Sequence, residues 1–229
     1  MIVHYDIPLI FVKSFKTAST STEAYLEAAL WGGAPIHERD WHIEENGFCS
    51  ARGAGTHSLT RSQALSILVR GKFPATSISR IRHLRHHSMP DEIIPALGQK
   101  FWNRSQKIVN VRNPFDIAVS FYFFQFRDTP RAEVPSFDDW VFTFGFAPTL
   151  RWITEPDDRL NIIRYESLEA DLTKLLKSLD LRPPASVPTF KTGIRPNDVP
   201  DYRSMYTKES RAFMEECFKD YLDRFEYEF

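Results

Sequence analysis

Five side chains suited to anion binding follow one another where a predicted strand gives way to a predicted helix. They lie in the segment KTASTS and are Lys16, Thr17, Ser19, Thr20 and Ser21. The N-terminus of a helix presents unpaired backbone N–H groups and a partial positive charge, and both attract phosphate or sulfate. Lys16 adds a full charge, and the hydroxyls add hydrogen-bond donors. The sequence TSTE also matches a capping box, so capping explains Thr20 and Glu23 but leaves Lys16 and the surplus hydroxyls unexplained.

A second candidate cluster follows the predicted strand KIVNVR in the stretch VRNPFDIAVS. Arg112 lies at the end of this strand, and Ser120 lies two turns into the predicted helix that follows. A guanidinium donates two parallel hydrogen bonds to a phosphate, which makes Arg112 a candidate phosphate ligand. Two anion sites at neighbouring strand ends predict a ligand with two separated phosphoryl-type groups.

The order of the predicted strands and helices indicates that these two turns belong to an α/β fold. We predict strands at residues 8–13, 107–112 and 159–165 and another within PATSIS, and we make no assignment for residues 37–60. Helices are predicted over 21–31, 59–71, 89–102, 113–126, 136–144, 167–181 and 207–224. Strands that alternate with helices indicate a parallel sheet with helices on both faces, in which ligands bind beyond the carboxyl ends of the strands.

Length, charge and cysteine content limit the class of protein. The 229 residues fit one α/β domain, 1–229, and the net charge of −1 gives no reason to expect nucleic acid or a membrane as a partner. We find no signal peptide, no membrane-spanning run and no metal-ligand spacing, and the two cysteines lie far apart in the sequence. We therefore expect a cytoplasmic protein. The basic stretch RIRHLRHH, residues 80–87, is either a solvated face or a surface that steers an anionic cofactor or acceptor.

A nucleotide kinase is the first alternative to consider for the turn at Lys16. The phosphate-binding loop of those enzymes, G-x-x-x-x-G-K-[ST], needs glycines so that the backbone can wrap the phosphates. The present turn contains no glycine, and its lysine comes earlier relative to the helix. ATP chemistry is therefore disfavoured, and a small-molecule kinase stays open as an alternative.

Three segments taken together resemble the sulfotransferases that use 3'-phosphoadenosine 5'-phosphosulfate (PAPS). The segments are KTASTS, VRNPFDIAVSFY and IIRYESLEADLTKLLKSLDL, and the likeness is closest to the carbohydrate-type, Golgi-like branch and its bacterial relatives. It extends over most of the chain, including the aromatic C-terminal end. The resemblance implies a P-loop-like three-layer sandwich whose central parallel sheet carries helices on both faces. Phe15 departs from a usual proline, and Ser19 stands where glycine is frequent.

The resemblance also implies roles for individual residues. The turn from Lys16 to Ser21 would hold the 5'-phosphosulfate through Lys16, Thr17, Ser19, Thr20 and Ser21, and Arg112 and Ser120 would hold the 3'-phosphate. Lys191 and Arg195 fall where relatives often place basic contacts to that phosphate, although a solvated loop charge is an equal alternative for each. Lys16 would neutralise charge on the bridging oxygen during in-line transfer, without a metal.

A general base must take the proton of the acceptor, and His87 is our candidate, with His86 second. The segment that begins HHSMPDEI resembles one that precedes the arginine-bearing strand in relatives. Weaker candidates are Glu23, Glu44, Glu45 and His57. The acceptor would be a hydroxyl or amine of a small molecule or glycan. A non-catalytic nucleotide-binding relative is the second alternative.

Overall fold

A computed structural model describes residues 1–32, 41–50, 58–73, 77–143, 152–155, 157–190, 193–199 and 201–229. The strands are β1 (Ile2–His4), β2 (Leu9–Val12), β3 (His42–Glu44), β4 (Gly47–Cys49), β5 (Gln106–Val111) and β6 (Leu160–Arg164). The helices are α1 (Ser19–Trp31), α2 (Arg61–Arg70), α3 (Ile78–Arg82), α4 (Pro90–Leu97), α5 (Gln99–Arg104), α6 (Pro114–Gln125), α7 (Phe137–Val141), α8 (Leu168–Ser178), α9 (Lys208–Cys217) and α10 (Lys219–Phe225). The predicted α/β class is confirmed.

The six strands form one mixed sheet in the order β3-β4-β1-β2-β5-β6. The pairs β2–β5 and β5–β6 are parallel, and β1–β2, β1–β4 and β3–β4 are antiparallel. The expectation of a parallel sheet is therefore correct for β2, β5 and β6 and wrong for the other half. Because β2 and β5 run parallel as neighbours, with Val12 opposite Val109, their carboxyl ends lie at the same edge of the sheet.

The described chain divides into two compact units, Met1–Val111 with Asp157–Pro188 and Arg112–Pro156 with Thr189–Phe229. The first unit contains the sheet. Its core joins Phe11 of β2 and Ile108 of β5 to Tyr25 of α1 and Leu172 and Leu176 of α8, all buried. The face of α8 that carries Leu172 and Leu176 thus packs on the sheet, where each fully buried leucine contributes roughly 1.5–3 kcal/mol.

The second unit is organised around α6 and the C-terminal segment. The Phe115 ring lies 5.5 Å from Tyr206 and 4.9 Å from Phe229, centroid to centroid and edge to face. The Tyr206 hydroxyl donates to the Phe115 carbonyl at 2.9 Å, which satisfies the polar end of a half-buried ring. These contacts hold the end of the chain against the start of α6.

Several predicted element boundaries differ from the structure. The strand predicted within PATSIS is wrong, because Ser77 caps α3 with its side chain; residues 74–76 lie outside the described chain. The helix predicted over 89–102 divides into α4 and α5 at Gly98, whose φ of 87° interrupts the helical backbone. The predicted final helix divides into α9 and α10 at Phe218. Of the helices in the described ranges, none has the length and apolar character needed to cross a membrane.

Candidate functional site

The turn between β2 and α1 has an unusual backbone. Lys16 and Ala18 adopt left-handed φ angles of 56° and 59°, although neither is a glycine. A left-handed conformation costs an L-residue roughly 1–2 kcal/mol, so the surrounding contacts must impose it. Ala18 is the N-cap residue of α1, and Ser19 is already helical. Within this turn, a glycine would relieve strain at Lys16 or Ala18 and not at Ser19, where relatives often have one.

The capping box predicted from TSTE is wrong. The N-cap of α1 makes no side-chain hydrogen bond, and Thr20 lies inside the first turn of the helix. The Glu23 carboxylate is buried; it lies 2.6 Å from the Lys13 ammonium, accepts from the Ser50 hydroxyl at 2.8 Å and contacts the Met1 amino group. Burial alone would raise the pKa of Glu23, but the Met1 amino group and Lys13 outweigh it and lower the pKa to about 2. The Glu23 carboxylate, which the pattern assigned to helix capping, is thus part of a buried ion pair instead.

Two of the predicted anion ligands hold the turn together. The Ser14 hydroxyl donates to the Asn110 carbonyl at 2.8 Å, so the Thr17 hydroxyl, 2.8 Å from Ser14 Oγ, is the donor of that second bond. The Ser19 hydroxyl donates to the Ser14 carbonyl at 2.6 Å. The protons of Thr17 and Ser19 are therefore directed into the turn itself. Their role as ligands of an anion stays a prediction. The same is true of Lys16 and Thr20, which are half-buried, and of Ser21, which is buried.

Asn110 ties this turn to the sheet, and the sequence analysis missed it. Its fully buried carboxamide nitrogen donates to the Thr17 carbonyl at 3.0 Å and to the Thr22 hydroxyl at 2.7 Å. Its Oδ1 is buried and has no hydrogen-bond partner among the described residues. One side chain of β5 thus fixes both the turn and the first residues of α1. Its only sequence signal was a polar residue inside the apolar strand KIVNVR.

The structure brings His87 to the same turn. His87 Nδ1 lies 2.7 Å from the Lys13 carbonyl, 74 residues away in sequence, and the ring stacks on Phe15 with centroids 3.8 Å apart. A carbonyl only accepts, so Nδ1 carries the proton and Nε2 carries the lone pair. Burial is the main cause that lowers the pKa of His87, to about 3, so the ring is neutral at physiological pH. The neighbouring ring of His86 lies 4.5 Å from that of His87.

In the second unit, two of the predicted phosphate ligands converge on one carboxylate. Arg112 donates to Asp116 Oδ2 from Nε at 2.8 Å and from Nη2 at 2.5 Å, and Arg195 Nη2 donates to Asp116 Oδ1. Tyr221 holds the Arg112 backbone, because its hydroxyl accepts from the Arg112 N–H and donates to the Arg112 carbonyl, each at 3.2 Å. Ser120 lies one turn beyond Asp116 on the same face of α6. Arg195 is thus paired rather than a solvated loop charge.

The remaining candidates are distributed as follows. Asn113 caps α6, because its side-chain oxygen accepts from the Phe115 N–H at 3.0 Å. Glu44 pairs with His42 at 2.7 Å on β3. Lys191 and His57 lie outside the described residues. Within the described ranges, no group of three or more His, Cys, Asp or Glu side chains is arranged to hold a metal ion.

No protein-family profile matches the chain, and a search of curated proteins gives no match. The assignment of a function therefore depends on the residues at the two turns and on the resemblance that their sequence motifs carry.

Proposed function

We propose that the chain is a sulfotransferase that moves the sulfuryl group of PAPS to a hydroxyl or amine of a small molecule or glycan. One observation carries the proposal: the His87 ring is hydrogen-bonded and stacked on the turn that bears Lys16. A group that accepts a proton therefore lies at a turn suited to an anion, and sulfuryl transfer needs both. The proposal includes the P-loop-like three-layer sandwich that the resemblance implies, and the single domain and cytoplasmic location that the sequence predicts.

Each residue has a role in the proposed donor site. The N-terminus of α1, with Thr20 and Ser21, receives the 5'-phosphosulfate, and Thr17 and Ser19 keep the turn in the required backbone conformation. Arg112, Ser120 and Arg195 bind the 3'-phosphate, as the resemblance implies, and Lys191 is assigned there by sequence alone. Lys16 neutralises negative charge on the oxygen that bridges phosphorus and sulfur.

The proposed transfer is a single displacement at sulfur. The acceptor oxygen or nitrogen forms a bond to sulfur, the bond from sulfur to the bridging oxygen breaks, and adenosine 3',5'-bisphosphate leaves with that electron pair. The acceptor proton passes to His87 Nε2. Burial keeps Nε2 of His87 unprotonated but also weakens it as a base, because it lowers the pKa of the ring. A phosphosulfate bound at the turn would raise this pKa, because nearby negative charge stabilises the imidazolium.

Donor binding is the first test of the proposal. Adenosine 3',5'-bisphosphate at 100 times its Kd stabilises the folded state by about 2.7 kcal/mol, which raises Tm by roughly 5–10 °C in a chain of this size. Lys16→Ala should remove most of this shift. Lys72→Ala is the matched control, because Lys72 is exposed and has the same left-handed backbone, with φ 51°. A shift with ATP and magnesium, but none with the bisphosphate, would favour the kinase instead.

Transfer of labelled sulfate to a panel of acceptors is the second test. His87→Ala should lower the rate by roughly 10²–10⁴-fold, the usual contribution of a general base, with His83→Ala as an exposed control. Full activity in His87→Ala, with loss in His86→Ala, would move the role of base to the neighbouring residue. Binding of the bisphosphate without transfer to any acceptor would identify a non-catalytic nucleotide-binding relative.

A further inference from the structure

Asp116 is the one acidic side chain that the described contacts place between two predicted phosphate ligands. Each of its carboxylate oxygens is used by a different arginine: Oδ2 accepts from Arg112, at 2.8 and 2.5 Å, and Oδ1 accepts from Arg195. The exposed side-chain fractions are 10% for Arg112, 16% for Asp116 and 24% for Arg195, so the group is largely shielded from water. Its position in the first turn of α6 further favours a negative charge.

We propose that Asp116 is a positioning residue that sets the specificity of the nucleotide site. It holds Arg112 and Arg195 as a guanidinium pair that accepts a phosphate monoester, and it thereby makes the site prefer a 3'-phosphorylated nucleotide. This inference rests on the proposed function, because that function supplies the 3'-phosphate. Asp116 does not itself contact the nucleotide.

The charges explain why the pair needs a carboxylate. Two guanidinium groups close to each other repel, and one carboxylate between them cancels one of the two positive charges. Two arginines and one carboxylate carry a formal charge of +1, which attracts a phosphate, and a planar guanidinium can bind a phosphate through two N–H groups.

The two arginines depend on Asp116 to different degrees. The Arg112 backbone is held by Tyr221 and its side chain by Asp116. Arg195 lies in a connecting segment outside the helices and strands, two residues after Gly193, which has a φ of 74°. Without the carboxylate, Arg195 loses a charged partner that fixes its side chain, and we expect it to turn towards water.

The test compares two nucleotides that differ only in the 3'-phosphate. The dissociation constants of adenosine 3',5'-bisphosphate and adenosine 5'-monophosphate are measured by titration calorimetry for the wild-type protein and for Asp116→Asn. We expect the variant to bind the bisphosphate about tenfold more weakly, the loss expected from one charged hydrogen-bond partner, and the monophosphate within twofold of wild type. A residue with only a structural role would change both affinities together.

Asp128→Asn is the matched control, because Asp128 pairs with Arg127 at 3.1 Å but is 81% exposed. It makes the same change of charge and should leave both affinities unchanged. Arg195→Ala should also weaken binding of the bisphosphate, and the double variant should lose less than the product of the two single losses, because both changes remove the contribution of Arg195. Arg195→Ala keeps the inference testable if Asp116→Asn does not fold.

Three results have distinct meanings. If wild type does not prefer the bisphosphate, the proposed function fails, and the inference fails with it. If wild type prefers it and Asp116→Asn keeps the same ratio of affinities, the inference alone fails. If Asp116→Asn binds the bisphosphate more tightly, the carboxylate competes with the phosphate for the arginines, and the positioning role is overturned.

Discussion

Asn110→Ala tests whether one side chain of β5 holds the conformation of the turn at Lys16. The substitution removes the hydrogen bonds from Nδ2 to the Thr17 carbonyl and to the Thr22 hydroxyl. Two such bonds contribute about 1–3 kcal/mol net to the free energy of unfolding, and the Thr17 carbonyl left without its hydrogen bond increases the loss by about 1 kcal/mol. Removal of the buried Oδ1, which has no hydrogen-bond partner among the described residues, offsets this loss by about 1 kcal/mol. The free energy of unfolding should therefore fall by about 2 kcal/mol, and Tm by roughly 4–8 °C.

The informative measurement is the effect of the ligand on Tm, not the Tm of the free protein alone. Lys16 and Ala18 have unfavourable left-handed φ angles, which the turn would give up without the hydrogen bonds from Asn110. The variant should therefore populate the binding-competent conformation less than wild type. Apparent affinity falls in proportion to that population. Calorimetric scans with and without adenosine 3',5'-bisphosphate should show a smaller ligand-induced shift in Asn110→Ala than in wild type.

Asn161→Ala separates this effect from a general loss of stability. The Asn161 amide donates to Gln106 Oε1 at 3.0 Å and to the Lys107 carbonyl at 3.2 Å, at the opposite end of β5 from the turn. Its loss should lower Tm but leave the ligand-induced shift unchanged. The reasoning about Asn110 would be refuted if both variants kept the full wild-type shift, because the turn would then be set without the tie to β5.

Three further perturbations test the first unit. Ala18→Gly should raise the free energy of unfolding by about 1 kcal/mol in urea titrations because φ is 59°, whereas Ala170→Gly, at an exposed position of α8, should lower it by a similar amount. Glu23→Gln should lower the free energy of unfolding by about 3–5 kcal/mol at pH 7, because the substitution leaves Lys13 buried without its carboxylate. In wild type, the charge on Glu23 stabilises the fold above pH 4.5, and this stabilisation is lost as pH falls towards 2. His87 has a pKa of about 3 when folded and near 6.5 when unfolded, so wild type loses stability as pH falls from 6.5 towards 3; His87→Asn should lose less between pH 7.5 and 5 in the same titrations.

The sequence predicts the parallel half of the sheet better than the antiparallel half, for a physical reason. β2 is a continuous apolar run, LIFV, and β5 and β6 have the apolar pairs IV and II at their centres. Helices with recognisable starts follow these strands, as for Asn113 before α6. β1, β3 and β4 are three residues each, too short to show a period of two. Their identity as strands comes from pairing, for example Ile2 with Phe11 and Cys49, and pairing is not visible in a local pattern.

The candidate site shows the same division between local and long-range information. The positions of Lys16 and Arg112 follow from strand ends that local patterns predict. The roles of Asn110 and Asp116 depend on contacts such as the bond from Ser14 to the Asn110 carbonyl, 96 residues apart, and that from Arg195 to Asp116, 79 residues apart. A spacing pattern that covers one turn contains no information about such partners.

The left-handed backbone of the turn gives a second reason for the many hydroxyl side chains in KTASTS. A glycine-containing turn reaches left-handed φ angles without strain, but Lys16 and Ala18 require neighbours that impose them. The bonds of Thr17 to Ser14, of Ser19 to the Ser14 carbonyl and of Asn110 to the Thr17 carbonyl supply that constraint. Part of the hydroxyl surplus therefore compensates for the missing glycine. This leaves Lys16, Thr20, Ser21 and the start of α1 as the part of the turn that we assign to the anion.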